Sequence, residues 1–600
     1  MLVRPLHLGL AGCLVSACST TPTTTPPSET TATETPAPSP AVAQAPAPPP
    51  GPTEFVQLRL GIAELGSIFA GIEKTSRHWS PDNSLDLTGQ MQASLLSLGF
   101  GPGFYESFDL SGRVAVDVRY PHSTSGSPNP ADIGLAATVP TIDARRLVQG
   151  MPPAYQPQPL SEGMWQLIES DFQLLMREQP RALELAAQEA DFLLASQLTA
   201  QPSAGRRIRV EASNLPKDEL DVASLLGLSL NEPSAKMLAS VLGELTAMEL
   251  ELELGDDRDV ELTLGATAPF SRLGLDTLGA PRTQPSPLAA GLPSGAVAAL
   301  ELSWGDPTLL LTTVDQRVPL AQIPAPFHDI AAAAVQSLKA VLGSIHDEVI
   351  FALYVSDKGE GSIVLAAKSP DETATRDAVR ALLGSAQSAL QAHIALVGQD
   401  PEQRYKVTYK TDALRVGKHR ADQFTATVPK AMQAQIEDLA VFFGKKPKLE
   451  IVSLAAANTA VVAIGAGAKR VVGDIGRSLG ATRRTNLEAD GGLALARRTT
   501  AGCQVCVAVD PVAALTTRLH YLEARASDKE RAAALRALRK VRTLGQIGLA
   551  TLLQPDHGRL GLAAPQSLLF ADANATKVVR DAFQMAAEST SAPTAVADGG

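Results

Sequence analysis

Met248, Leu250, Leu252 and Leu254 alternate with Glu249, Glu251 and Glu253. A period of two puts the apolar side chains on one face of a strand and the glutamates on the other. Gly255 to Asp259 supply turn residues, and Val260, Leu262 and Leu264 restore the alternation. The pattern predicts a hairpin with one wet face, and hence antiparallel sheet. A second hairpin is predicted over Val349–Ser356 and Ile363–Ala367, turning through Asp357-Lys358-Gly359-Glu360-Gly361. A third joins Gln546–Leu553 to Leu560–Ala564 through Pro555-Asp556-His557-Gly558.

The surroundings of the second and third hairpins recur. Strand Val297–Trp304 runs into Asp306-Pro307 and a helix containing Leu311-Thr312-Thr313. Strand Gln504–Val509 runs into Asp510-Pro511 and a helix containing Leu515-Thr516-Thr517. Aspartate suits the N-cap and proline the first helical position. In each case another helix follows, then the hairpin, then a helix (Asp371–Leu383; Asn574–Phe583). The order is β-α-α-β-β-α over roughly 90 residues. A weaker copy without the Asp-Pro pair starts the body. It has strand Phe55–Leu60, helices Ile62–Arg77 and Leu87–Leu98, paired strands Val114–Tyr120 and Ile133–Thr138, and helix Ala144–Val148. Blocks 151–290 and 387–500 link the copies, each mixing helices with a hairpin. The expected fold class is α+β: repeated β-α-α-β-β-α modules with antiparallel sheets and helices packed on one face.

A chain of 600 residues is too long for one compact core. Pro- and Gly-rich seams at Met151–Pro159, Gly279–Gly295 and Ala489–Gly492 punctuate it, and boundaries are placed at the last two. The expected division is a signal peptide over 1–18, a disordered tether over 19–53, α+β domains over 54–290, 291–488 and 489–588, and a disordered tail over 589–600. With 45% hydrophobic and 19% charged residues, the body has the composition of a folded, water-soluble protein. The net charge of −11 repels phosphate backbones, so no nucleic-acid partner is expected, and it leaves membrane contact to a dedicated anchor. Aromatic residues make up 4%, with Trp79, Trp165 and Trp304 the only tryptophans, which leaves little for stacking platforms.

Such an anchor is legible at the start. Arg4 gives a positive n-region and Leu6–Val15 a short apolar stretch, ending in Val15-Ser16-Ala17-Cys18. This resembles the lipobox of bacterial lipoproteins, an aliphatic residue and two small ones before the cysteine that becomes the lipidated N-terminus. Leu10-Ala11-Gly12-Cys13 fits the same pattern but leaves an apolar region of only about eight residues. Cys18 is therefore favoured as the lipidation site, with Cys13 as the alternative. Ser19 and Thr20 follow, with no aspartate; by resemblance to enterobacterial lipoproteins this implies the outer membrane, facing the periplasm or the exterior. Residues 19–53 are almost entirely Thr, Pro, Ser and Ala, and would span ~100 Å extended or ~30 Å as a coil.

Motifs for chemistry are sparse. Cys503 and Cys506 form the sole Cys-x-x-Cys, and an oxidising envelope favours a disulfide between them. They lie in an apolar strand rather than at a helix start, which argues against redox catalysis, and bonding across three strand residues requires a bulge. Only His520 follows at a spacing useful for zinc. Gly476-Arg477-Ser478-Leu479-Gly480 matches a nucleophile elbow, with Asp490 or Asp510 and His520 in the right order. The elbow needs a strand directly before the serine, whereas a helix is predicted from Ala468 through Ser478. Gly465-Ala466-Gly467 lacks the third glycine of a dinucleotide loop, because Arg470 stands there. Asp257, Asp259 and Glu261 lack the glycine of a calcium loop, and His346-Asp347-Glu348 reads as a solvated loop.

No cofactor is expected, and the catalytic residues, if any, are unassigned. The leading expectation is a membrane-anchored envelope lipoprotein acting as a non-catalytic structural or protein-interaction module, with another envelope protein as partner. A carrier or chaperone for a hydrophobic ligand is the alternative, and an envelope enzyme using Ser478 or the cysteine pair the third.

Overall fold

A computed structural model describes residues 55–81, 84–121, 133–169, 172–200, 207–215, 240–241, 243–254, 259–273, 278–318, 320–324, 327–397, 406–427, 448–477, 479, 485–525, 529–541 and 544–591. Cys13, Cys18, residues 19–53, Asp257, Ser478 and Gly480 lie outside them.

The strands of the first half are β1 (Phe55–Ala63), β2 (Arg113–Pro121), β3 (Gly134–Pro140), β4 (Gln158–Ser161), β5 (Met164–Glu169), β6 (Phe172–Gln179), β7 (Ala182–Ala186), β8 (Arg207–Ser213), β9 (Ala247–Glu253) and β10 (Val260–Thr267). Those of the second half are β11 (Ala298–Trp304), β12 (Asp347–Val355), β13 (Gly361–Lys368), β14 (Lys406–Val416), β15 (His419–Thr427), β16 (Lys448–Ala456), β17 (Thr459–Ile464), β18 (Val505–Val509), β19 (Ile547–Leu553) and β20 (His557–Ala564).

Among the described residues the 20 strands join in one antiparallel sheet. Following the pairings, the order is β4-β5-β6-β7-β3-β2-β1-β8-β9-β10-β20-β19-β18-β11-β12-β13-β17-β16-β15-β14. Segments 54–290, 291–488 and 489–588 share this ladder, because β10 pairs with β20 and β11 with β18. The three expected hairpins form as β9–β10, β12–β13 and β19–β20.

The helices that position the site are α1 (Leu65–Trp79), α2 (Ala144–Gln149), α3 (Asp191–Ala200), α4 (Glu372–Val397), α5 (Ala468–Arg477), α6 (Gly492–Thr499), α7 (Pro511–Arg525), α8 (Lys529–Leu538) and α9 (Ala573–Ser591). The Asp-Pro pairs act as caps, in two registers. Asp510 Oδ1 accepts from Val512 N and Ala513 N, so Pro511 opens α7. Asp306 Oδ1 accepts from Thr308 N and Oγ1, and that helix, Thr308–Arg317, opens one residue later. The capping bonds hold the exposed Asp306 carboxyl below its ordinary pKa, whereas burial pushes that of Asp510 up despite its bonds.

Three expectations need correction. Helices do not pack on one face. In α4, Val379 and Leu383 lie against Phe424 and Val462, while Val472 and Ile475 of α5 join a core with Val461 and Ala463 from the opposite face. Each sheet face is apolar somewhere, so each draws helices there. Ile62 belongs to β1 rather than to a helix, because ladder partners Val114 and Ile208 hold it on both sides. Glu348 is not solvated: β12 starts at Asp347 and buries it to 2% exposure. At the other end, α9 runs to Ser591.

Candidate functional site: an open apolar face and a buried ion cluster

Cross-strand partners share a face of the sheet. The register therefore links Val114, Ile62, Ile208, Leu252, Leu262, Leu562, Leu549, Val507, Leu300, Phe351, Leu365 and Val462 into one row from β2 to β17. At ~4.8 Å per strand that row is about 50 Å long. The neighbouring row on the same face holds Leu60, Val210, Leu250, Leu264 and Leu560. On the outer strands this face is covered: α2 packs on Met176 and Leu183 at one end, and α4 on Phe424 and Val462 at the other. On β1, β8 and β20 it is partly exposed. Leu58 is 46% exposed, Leu560 44%, Leu562 41% and Val210 39%.

The opposite face carries smaller side chains under closer cover. Ala563, Gly548, Ala508, Ala299 and Ala352 form one row, and Gly561, Ala550, Cys506, Glu301, Ile350 and Ala366 the next. Ala508, Ala550 and Cys506 are fully buried. Small residues are needed because α6 approaches closely: a Cβ on Gly548 would stand 2.6 Å from Ala496 N and 2.8 Å from Gly492 O. Toward β10, β9, β8 and β1 the same rows turn ionic. Glu261, Glu253 and Arg207 continue one; Glu251 and Arg209 continue the other. Arg209 pairs with Glu211 and Glu249, and Arg207 with Glu253, all at part-exposed positions.

Glu301 stands in the middle of the dry face, 1% exposed. Arg497 of α6 donates from Nη1 to Glu301 Oε2 at 2.5 Å and from Nη2 to Glu488. Arg282 Nε lies 3.0 Å from Glu301 Oε1 and its Nη2 3.3 Å from Glu348 Oε2. Its contact with Glu301 is ionic rather than an aligned hydrogen bond, since neither Arg282 Nε nor Glu301 Oε1 has a hydrogen-bond partner. Ser286 Oγ donates to Glu348 and accepts from Ala289 N at 2.8 Å, while Ser286 N donates to Glu488 at 3.3 Å. Burial, the largest influence, pushes the Glu301 carboxyl up to about 7 against the pull of Arg497. Burial likewise raises Glu348, opposed by the Ser286 hydrogen bond and Arg282. Two guanidinium groups face three carboxyls, so one retained proton makes the cluster neutral and lowers the cost of burying it.

The cysteine pair borders this cluster. Cys503 and Cys506 are disulfide-bonded, their Cα atoms 5.9 Å apart. Cys506 pairs with Glu301 across β11–β18, and the Cys503 backbone exchanges hydrogen bonds with that of Arg282. Regular strand gives way before Val505: Gln504 Oε1 accepts from Leu553 N and Nε2 donates to Gly279 O. That side chain stands in for ladder bonds where the disulfide bends the strand. Both cysteines are buried in the main core, which suits a structural bond.

The other candidates fall apart in space or take structural roles. Ser478 lies outside the described residues. Asp490 Oδ2 accepts from Gly295 N, and burial pushes its carboxyl up to about 6. Asp510 caps α7, and His520, ten residues further along that helix, is about 15 Å away and contacts Arg539 instead. Asp259 and Glu261 form ion pairs with Arg498. Among the described residues no group of three or more His, Cys, Asp or Glu is placed to hold a metal ion. Gly465 has φ 127° and its Cβ would meet Gly361 O at 2.4 Å, so close strand packing accounts for that glycine.

Sequence reasoning missed the cluster of Arg282, Glu301, Glu348, Glu488 and Arg497. One signal was present: a lone glutamate inside Ala298-Ala299-Leu300-Glu301-Leu302 is costly to bury without partners. The chain matches no protein-family model, no curated protein and no solved structure.

Proposed function

We propose that the chain is a lipid-tethered, non-catalytic binding module of the bacterial cell envelope that works through the open apolar face of its sheet. The observation that carries the reading is the inversion of side-chain size. Leu562, Leu560, Leu58 and Val210 stand at 39–46% exposure while alanines and glycines fill the dry side. Burying a leucine is worth about 1.5–3 kcal/mol, so a face of leucines left open at the centre of a sheet marks a contact surface. The partner is another envelope protein.

The anchor is the lipid on Cys18, or on Cys13, in the outer membrane. Among the described residues no helix is long and apolar enough to cross a membrane. The body is built of repeated β-α-α-β-β-α modules. In support, the neighbour order β4-β5-β6-β7-β3-β2-β1-β8-β9-β10 recurs as β14-β15-β16-β17-β13-β12-β11-β18-β19-β20. Equivalent strands β10 and β20 then meet antiparallel at the centre, as a two-fold relation between duplicated halves requires.

Photo-crosslinking amino acids at Leu562 or Met248, and at Arg209 on the ionic face, test the surface in living cells. One protein species captured from Leu562 and Met248 but not from Arg209 is the expected result. Equal capture from both faces, or none, counts against the reading. Cys18→Ser should abolish palmitate labelling; labelling that persists there but vanishes in Cys13→Ser moves the anchor. A second reading, a carrier for a hydrophobic ligand, is favoured by an apolar cavity at one end of the open face.

A further inference from the structure

The open face has a walled end. Leu254 and Val260 continue the alternation of β9 and β10, and so lie on the same side as Leu252, Leu262 and Leu562. There α1 and Phe570 close over the sheet around a cavity of about 320 Å³. Its size lies within the range of small-molecule sites. Ile72, Leu254, Val260, Leu569 and Phe570 line it, together with Gly71, Thr75 and Ser76. The two hydroxyls are already engaged: Thr75 Oγ1 donates to Gly71 O at 2.9 Å, and Ser76 Oγ accepts from Leu85 N at 2.9 Å. The exposed wall is almost wholly hydrocarbon.

Its rim is basic. Lys74 Nζ sits 4.5 Å from the centre of the Phe570 ring, and the His78 ring packs edge-on against the same phenylalanine. The acid of α1, Glu73, turns its carboxylate to Thr88 N at 3.0 Å. Trp79 Nε1 donates to Leu569 O at 3.1 Å and fixes the segment that carries Phe570. An apolar cleft with a lysine at its mouth is complementary to an aliphatic chain that ends in a negative charge.

We propose that this cavity binds the acyl chain of an anionic amphiphile, with Lys74 at the head group and the tail running past Val260 onto the open leucine face. The proposal rests on the carrier reading and names its ligand.

The test uses the full-length chain with Cys13→Ser and Cys18→Ser, purified without detergent so that no lipid of its own competes. Dansyl-undecanoic acid is the probe, with palmitate, lysophosphatidylglycerol and hexadecanol as competitors. We expect saturable binding of one probe per chain, displaced by palmitate or lysophosphatidylglycerol; the stronger competitor tells a free fatty acid from a phospholipid. Ile72→Trp and Val260→Trp, which fill the cavity, should each weaken probe binding at least about tenfold. Lys74→Gln should weaken palmitate about threefold and leave hexadecanol unchanged. Thermal melts identify any variant that fails to fold, and the lysine variant tests the rim independently of the two fillings. If Leu562→Gln abolishes binding while both tryptophan variants retain it, the cavity is the wrong site although a carrier reading survives. Absence of any saturable binding overturns both.

Discussion

On β18 and β19 the two faces of the sheet are both largely apolar and end in opposite states. On β18 and β19, Cys506, Ala508, Gly548 and Ala550 point one way, Val505, Val507, Leu549 and Thr551 the other. The small set is fully buried because α6 can settle onto it; the larger set is only half-buried. Bulk alone does not decide what becomes core. Close approach does, and a helix approaches where side chains are short. Placing larger apolar groups on the less covered side forgoes burial energy, which is expected of a surface kept for another molecule.

The ionic groups share one face of the sheet and divide by helix cover. Arg497, on the inner side of α6, and Glu301 beneath it are at 5% and 1% side-chain exposure, whereas Arg209, half exposed, shares three part-exposed glutamates. Removing one member of the buried set leaves an unpaired charge in the interior, so Arg497→Ala should cost about 3–5 kcal/mol in chemical denaturation. Arg209→Ala should cost at most about 1 kcal/mol. Similar losses at both positions would erase the distinction between the helix-covered and the uncovered parts of that face.

A smaller effect sharpens it. A carboxyl whose pKa is higher folded than unfolded holds its proton more tightly in the folded state. The Glu301 contribution is therefore complete below its unfolded value of 4.5 and is lost as pH rises through about 7. From the size of that shift the loss is roughly 3 kcal/mol. Glu301→Gln keeps an acceptor for Arg497 and removes the titration, so the variant should gain on the wild type between pH 5 and pH 8. A constant difference in melting temperature across that range would place the proton elsewhere.

How legible these features were in the sequence depended on contrast between neighbours. Met248 to Leu254 alternates leucine or methionine with glutamate, and the hairpin β9–β10 was predictable within a residue or two. Val505 to Val509 alternates valine with cysteine and alanine, so hydrophobicity predicts a strand but not which side is dry; only side-chain size carries that. At Ile62 a local apolar run suits helix or strand equally, and ladder partners on both sides make it strand. The ion cluster was opaque for a different reason. Arg497 and Glu301 are 196 positions apart and meet only once β11 lies beside β18. The disulfide was legible as a pair but not in geometry, since the Gln504 side chain that accommodates it bonds to residues far along the chain.

The central claim, that the leucine face is a working surface rather than a core, is tested most directly by thermal denaturation of two variants side by side. Gly548→Val, on the covered face, should lose about 1–3 kcal/mol or more, because its new Cβ meets the α6 backbone. Leu560→Gln/Leu562→Gln, on the open face, should melt within about 1 kcal/mol of the wild type. The opposite ranking, with the double variant collapsing and Gly548→Val unaffected, would make the leucines the core and contradict the account.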